Sequence, residues 1–296
     1  MKILVAIDSS PSSDSVIHQV LSRPWPAQSE ICVMTVVDTK AFIPSVPGVE
    51  SVTRFQVEEA ERLVSRAAAK FSRLGLTTST TISEGYPQAE ILEYVKEWRA
   101  NYLVLGSHGH SRLVRFFLGS TCQTVLRNAP CSVELVRDRR PGTDDGSLKP
   151  YKVLVATDGS ESAIQAIDSI KYRPWPTPTQ IRVVSVFDPS VPVADPGFLP
   201  SDLISRIQTE HRKMAEDLVA AAQRQLAGVE YEVSAHVLEG DAKVRILDEA
   251  SQWEADLIVL GSHGKRGLVR FLMGSVSEAV ALHAPCSVNV IRPGSN

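Results

Sequence analysis

GSHGKRGLVRFLMGS, residues 261–275, follows the apolar run ADLIVL at 255–260. A run of aliphatic residues that stops at glycine reads as a buried strand ending in a turn. The closing Gly274-Ser275 pair stands before VSEAVAL, which has helical spacing, so the segment joins a strand to a helix. Nearly the same string, GSHGHSRLVRFFLGS, occupies residues 106–120 after NYLVL. A connection written twice asks whether everything around it is written twice.

It is. KILVAID at 2–8 returns as KVLVATD at 152–158, and RPWP at 23–26 returns at 173–176. ICVMTVVD at 31–38 answers IRVVSVFD at 181–188, and NAPCSVELVR at 128–137 answers HAPCSVNVIR at 283–292. The repeat unit is far longer than a solenoid module, so the chain is a duplicated domain. Between the copies, RDRRPGTDDGSLKP has charge, Gly and Pro but no apolar period, and reads as a linker. The expected organisation is domain 1 at 1–137, linker at 138–150 and domain 2 at 151–296.

Within each copy, apolar strand patterns alternate with helical ones. Unbroken runs such as ILVAI and VLVAT belong to strands covered on both faces. Ser10 and Ser160 stand where helix N-caps are expected. Strict alternation predicts an α/β fold with a parallel sheet and helices on both faces. Such sheets bind ligands beyond the carboxyl ends of their strands, where the winding direction switches.

The composition limits the partners. The net charge of −3 supplies no field for nucleic acid or an anionic membrane surface. No apolar run approaches the ~20 residues of a membrane helix. The four cysteines, Cys32, Cys122, Cys131 and Cys286, form no CxxC or zinc spacing. A soluble, reducing, cytoplasmic setting is expected.

The glycine string sits where an anion would bind. The first turn of a helix offers unpaired N–H groups and the positive end of the peptide dipole. Glycine allows close approach of a phosphate, and successive amides cup negative charge without a basic side chain. The string is neither a GxxxxGK[ST] phosphate loop, a GxGxxG dinucleotide turn after the first strand, nor a GxSxG nucleophile elbow. No nucleophile stands beside a base, so no catalytic residue is assigned and at most a slow enzyme activity is expected. His108 and His263 read as turn residues, while Arg115 and Arg270 are within reach of phosphates.

The spacing G-x2-G-x9-G-[ST] resembles the ATP-binding signature of universal stress proteins. Gly106, Gly109, Gly119 and Ser120 fit it, as do Gly261, Gly264, Gly274 and Ser275. The resemblance covers both copies, from the opening strand ending in Asp to the APCSV approach to the last strand. It implies two tandem Rossmann-like domains, each a five-stranded parallel sheet in the order 3-2-1-4-5. It implies ATP as ligand, with Mg2+ able to accompany the phosphates. The adenine would lie by Asp8 and Val36 in one copy and by Asp158 and Val186 in the other. The glycines, with Ser120-Thr121 and Ser275-Val276, would hold ribose and phosphates. A hydroxyl two places after the helix-opening Ser is usual in ATP-binding members. Ser277 supplies it in the second copy, whereas Cys122 replaces it in the first, so the second site is expected to bind better.

The implied role is a stress-response or signalling module. The alternatives are an interaction module with empty pockets, or a flavodoxin-like or nucleotidyl-transferring protein. The resemblance also implies pairing of the two fifth strands, around Cys131-Ser132-Val133 and Cys286-Ser287-Val288, within one chain, with a homodimer of the tandem chain as a further state.

Overall fold

The computed structural model describes residues 1–38, 49–107, 118–137, 149–190, 200–264 and 273–294. The first copy contains β1 (Lys2–Ala6), α1 (Ser12–Leu21), β2 (Glu30–Val37), α2 (Val49–Phe71), β3 (Thr77–Glu84), α3 (Pro87–Glu97), β4 (Tyr102–Gly106), α4 (Ser120–Asn128) and β5 (Ser132–Val136). The second contains β6 (Tyr151–Ala156), α5 (Glu161–Tyr172), β7 (Thr179–Phe187), α6 (Ser201–Gln225), β8 (Glu232–Glu239), α7 (Ala242–Gln252), β9 (Leu257–Gly261), α8 (Ser275–His283) and β10 (Ser287–Ile291).

The chain forms two compact units. Unit 1 comprises Met1–Asp145, Arg173–Pro176 and Ser287–Asn296, and unit 2 comprises Gly146–Tyr172 and Thr177–Cys286. In unit 1 the strand order is β3-β2-β1-β4-β5, all parallel, with β10 antiparallel beside β5. In unit 2 the parallel order is β8-β7-β6-β9. This is the doubly wound, Rossmann-like arrangement expected of each repeat, and the winding reverses between β1 and β4 and between β6 and β9.

Burial explains the strand sequences. Ile3, Leu4, Val5, Leu103 and Val104 are fully buried, as are Leu154, Val155, Ile258 and Val259. A strand covered on both faces has no reason to alternate. The edge strands β3 and β8 have half-exposed patterns, which suits their Thr, Ser and Glu content. In unit 1, α2 packs on β2 and β3, while Val16, Ile17, Val20, Val64 and Phe71 close a core over β1 and β2. Contacts of α1 with α2, and of α3 with α4, pair the helices into two layers. Unit 2 repeats this with α5 against α6 and α7 against α8.

The helix starts differ in one respect from the expectation. Ser160 caps α5, its Oγ accepting from the Ala163 amide at 3.3 Å. Helix α1 instead starts after Pro11 without a side-chain cap. The Ser10 hydroxyl is committed elsewhere, donating to Asp8 Oδ1. The aspartate that closes the strand has taken the hydroxyl that would have capped the helix.

Candidate functional site

In the second copy, β9 runs into Gly261, and here the chain itself requires glycine. A Cβ at this position would lie 2.3 Å from Ser162 Oγ and 2.6–2.7 Å from the Ser162 carbonyl carbon and the Ala163 amide nitrogen. The first turn of α5 presses directly on the strand end. Serines then tie the following turn to the same helix. Ser160 Oγ and Ser162 Oγ donate to His263 O at 3.0 and 2.6 Å, and the His263 amide donates to Ser162 Oγ at 3.3 Å. His263 Nδ1 and Ser262 Oγ are 2.7 Å apart, so the histidine is built into the turn.

The rest of the string returns to this place. The Gly274 amide donates to Ser262 O at 2.8 Å. A Cβ on Gly264 would be 2.9 Å from Asp158 Oδ2, and one on Gly274 would be 3.4–3.6 Å from Ser262 O, His263 Cα and Gly264 N. The strand-one aspartate, the GSHG turn and the Gly-Ser helix start therefore converge at the carboxyl ends of β6 and β9. The first backbone bond of α8 runs from the Glu278 amide to Gly274 O at 2.9 Å. Ahead of it stand the amides of Ser275, Val276 and Ser277, for which no acceptor is found among the described residues.

The first copy repeats the junction. The Gly119 amide donates to Ser107 O at 3.1 Å, and Gln123 donates to Gly119 O at 2.9 Å. The amides of Ser120, Thr121 and Cys122 likewise find no acceptor among the described residues. Gly119 has φ −59° and ψ 151°, a conformation open to any residue. Among the described residues the nearest atom to a Cβ there is Ser107 O, at 3.8 Å. The described parts of the fold thus place no demand for glycine at Gly119, whereas they forbid anything else at Gly261. Gly109, His108, Arg115 and Arg270 lie outside the described residues.

Two sequence-based assignments take on a different geometry. The Ser277 hydroxyl donates to Gly261 O at 2.7 Å, and Cys122 Sγ makes the equivalent contact with Gly106 O at 2.8 Å. Both side chains are buried and tie the helix to its strand. The Ser-to-Cys difference accordingly falls on an internal contact. Burial, with Asp8's charge adding to it, pushes the Cys122 thiol up to about 12, so it remains the donor.

The copies differ more at the strand-one aspartate. Asp8 Oδ1 accepts from the Ser10 amide at 3.0 Å, from the Ser10 hydroxyl, and from Ser13 Oγ at 2.9 Å. Ser13 Oγ also accepts from the Asp8 amide at 2.9 Å. In the second copy Ala163 replaces Ser13 and Ser160's hydroxyl turns to His263 O, while Asp158 Oδ1 keeps the Ser160 amide at 3.0 Å. The ties that Ser13, Ser160 and Ser162 make here go beyond what the sequence predicts, although the serine-rich turns at 8–13 and 158–162 were their signal. Val36 and Val186 are half-exposed near the carboxyl ends of strands whose other inner positions are buried. That exposure suits the wall of an open crevice. Among the described residues, no three His, Cys, Asp or Glu side chains group to hold a metal ion, and no helix is long and apolar enough to cross a membrane.

A twice-written, doubly wound α/β sheet with a Gly-Ser helix start beyond its fourth strand defines a class: tandem Rossmann-like proteins, a fold whose ligands lie beyond the carboxyl ends of the strands. The profile of the universal stress protein family matches residues 1–137 and again residues 151–292. The chain belongs to that family, as a tandem of two such domains. A universal stress protein of Mycolicibacterium smegmatis is 27% identical over 309 residues, spanning 98% of this chain and 97% of the relative. One from Mycobacterium tuberculosis is 29% identical over 302 residues, spanning 98% and 96%. The crystal structure of a universal stress protein from Archaeoglobus fulgidus shares the fold with a TM-score of 0.65 at 22% identity, covering 98% of this chain and 96% of that one.

Proposed function

We propose that each copy binds an adenine nucleotide, ATP, and that occupancy rather than chemistry is what the protein signals with in a stress response. The Gly119 junction is the observation that carries this reading. A glycine stands where the described backbone accepts any residue and leaves room for a side chain, directly before a run of amides without an acceptor among the described residues. Among the described residues, room beside N–H groups without an acceptor at a helix start suits a phosphate approaching from outside.

The remaining parts suit the rest of the nucleotide. Val36 and Val186 offer apolar wall to a flat base, and Asp8 and Asp158 stand beside them as acceptors for its N–H or for ribose hydroxyls. Ser120, Thr121, Ser275 and Val276 frame the phosphate position, with Gly106, Gly261 and Gly264 shaping the turn below it. A Mg2+ would arrive on the phosphates, since the described residues assemble no ligand set of their own. The Ser262 hydroxyl and His263 Nδ1 lie 2.7 Å apart within the turn, and the reading gives this pair a structural role, with slow hydrolysis the most turnover it includes.

The test is to purify the chain without added nucleotide, denature it, and identify what is released. The protein is also titrated with ATP by calorimetry. One or two adenine nucleotides per chain, or saturable binding, is the expected result. No release and no heat at millimolar ATP would leave the reading without its basis and favour an interaction module. A released flavin would point to electron transfer instead.

A further inference from the structure

Glu134, in the middle of β5, is a carboxylate with 0% exposure. Its Oε2 accepts from the Arg23 guanidinium and the Tyr102 hydroxyl, and its Oε1 from Gln19 Nε2 at 3.3 Å. The second repeat carries Arg173, Leu257, Ser169 and Asn289 at the positions of Arg23, Tyr102, Gln19 and Glu134. The arginine is kept and the acid is lost.

Unit 1 gathers the first set together with Arg173 and Asn289 of the second. Its two RPWP segments wall one small hollow, through Pro24, Trp25, Pro174 and Trp175. Arg173 has no ion pair among the described residues. Its guanidinium lies 4.2 Å from the centroid of the Tyr102 ring, whose hydroxyl donates to Glu134. Asn289 stands opposite Glu134 in the antiparallel register, is likewise 0% exposed, and neither its side-chain oxygen nor its nitrogen has a partner among the described residues. Around this centre the ladder is nearly two-fold. The Arg137 amide donates to Ser287 Oγ at 3.2 Å, and the Arg292 amide to Ser132 Oγ at 3.1 Å. The asymmetry lies in Glu134 and the two side chains, Tyr102 and Gln19, that donate to it beside Arg23.

We propose that Glu134 serves two arginines, Arg23 directly and Arg173 through the Tyr102 ring. The β10 edge, with Asn289 and Arg173, then fits a partner edge that carries Glu134 and Tyr102, which β5 with its neighbour β4 does and a second β10 does not. A cation over the face of a tyrosine is attracted to it, and a hydroxyl donating to a carboxylate makes that face more negative. Burial, then the Glu134 charge, raises the Tyr102 hydroxyl above its ordinary range, so the proton it donates is kept. Self-pairing fails on either side. Two β10 edges would bring two half-buried arginines to the pairing with no acid between them, and like charges held close repel. Two β5 edges in the same register would oppose two carboxylates, which repel when directly across a ladder.

A double-mutant cycle on the full chain tests this, using Glu134→Gln, Arg173→Met and both together, with urea unfolding followed by circular dichroism. Glu134→Gln is expected to lower the urea midpoint, and the drop should shrink to less than half in the Arg173→Met background, where one of the two cations has gone. Equal drops in both backgrounds would overturn the proposal, as would the same relief from Arg182→Met, whose partner is Glu249 elsewhere. If Glu134→Gln alone does not fold, the double variant is expected to fold; failure of both would also overturn it.

Discussion

Gly119→Val separates a glycine kept for a ligand from one kept for the fold. At φ −59° and ψ 151° valine is unstrained, and its Cβ would sit 3.8 Å from Ser107 O, an ordinary contact. The Gly119 amide keeps its bond to Ser107 O. Losing glycine's freedom in the unfolded chain should stabilise the fold by ~0.4–1 kcal/mol. The added methyls, however, enter the space before the Ser120, Thr121 and Cys122 amides. Hydrogen bonds to a charged group contribute about 1.5–3 kcal/mol each. Losing two of them is worth roughly 3–6 kcal/mol, or about a hundredfold to ten-thousandfold in affinity. Calorimetry should show one ATP site per chain lost while the melting temperature holds or rises. ATP binding at that site within threefold of wild type would refute the reasoning, and so would a melting temperature lowered by more than about 3 °C, roughly a 1 kcal/mol loss for a unit of this size.

The companion substitutions sort the other residues. Gly261→Ala drives a Cβ into Ser162 and the Ala163 amide and should cost at least ~1–3 kcal/mol in urea unfolding; a neutral result would contradict the close strand–helix contact. Ser277→Cys gives the second copy the first copy's internal tie. It should leave ATP affinity within twofold, and a tenfold loss would make that hydroxyl a ligand contact. Ser13→Ala removes a donor to Asp8 Oδ1 and the acceptor of the Asp8 amide; unfolding should register a loss of ~0.5–1.5 kcal/mol. Cys122 and Cys131, both pushed up to about 12 with burial the leading cause, stay thiols at pH 8. Peptide mapping after brief treatment with a thiol reagent should find both unlabelled until the chain is unfolded, and rapid native labelling of either would show that it is not buried.

The architecture was legible because apolar runs without alternation, such as ILVAI and LIVLG, admit few readings other than doubly covered strands. Repetition then fixed the domain count. The place of the Gly-Ser helix starts was legible too, since such a pair after an apolar strand has one place in a doubly wound sheet. The work done by individual side chains was not. Nothing in the strings says that Ser277 faces its own strand, because a hydroxyl in a first helical turn can point to a ligand or back to a carbonyl. Gly106, Gly119, Gly261 and Gly274 look alike in sequence, yet a Cβ at Gly261 would run into Ser162, whereas among the described residues one at Gly119 would approach Ser107 O no closer than 3.8 Å. Ser10 was misread as a cap because its competitor for the hydroxyl, Asp8, belongs to the same short turn. Glu134 looked like one residue of an apolar strand, and its role depends on Arg23 and Tyr102, distant in sequence.

Because unit 1 contains Ser287–Asn296, the first repeat is not a self-sufficient piece of this molecule. Cutting the gene at the linker would strip β5 of its antiparallel neighbour and leave its N–H and C=O groups open to whichever strand comes first. The fragment 1–137 should therefore be less stable than the same half in the intact chain, with Glu134 opposing the in-register pairing of its copies, and deleting residues 287–296 should harm that half. During synthesis, then, the opening half would wait for the final strand before its sheet is finished.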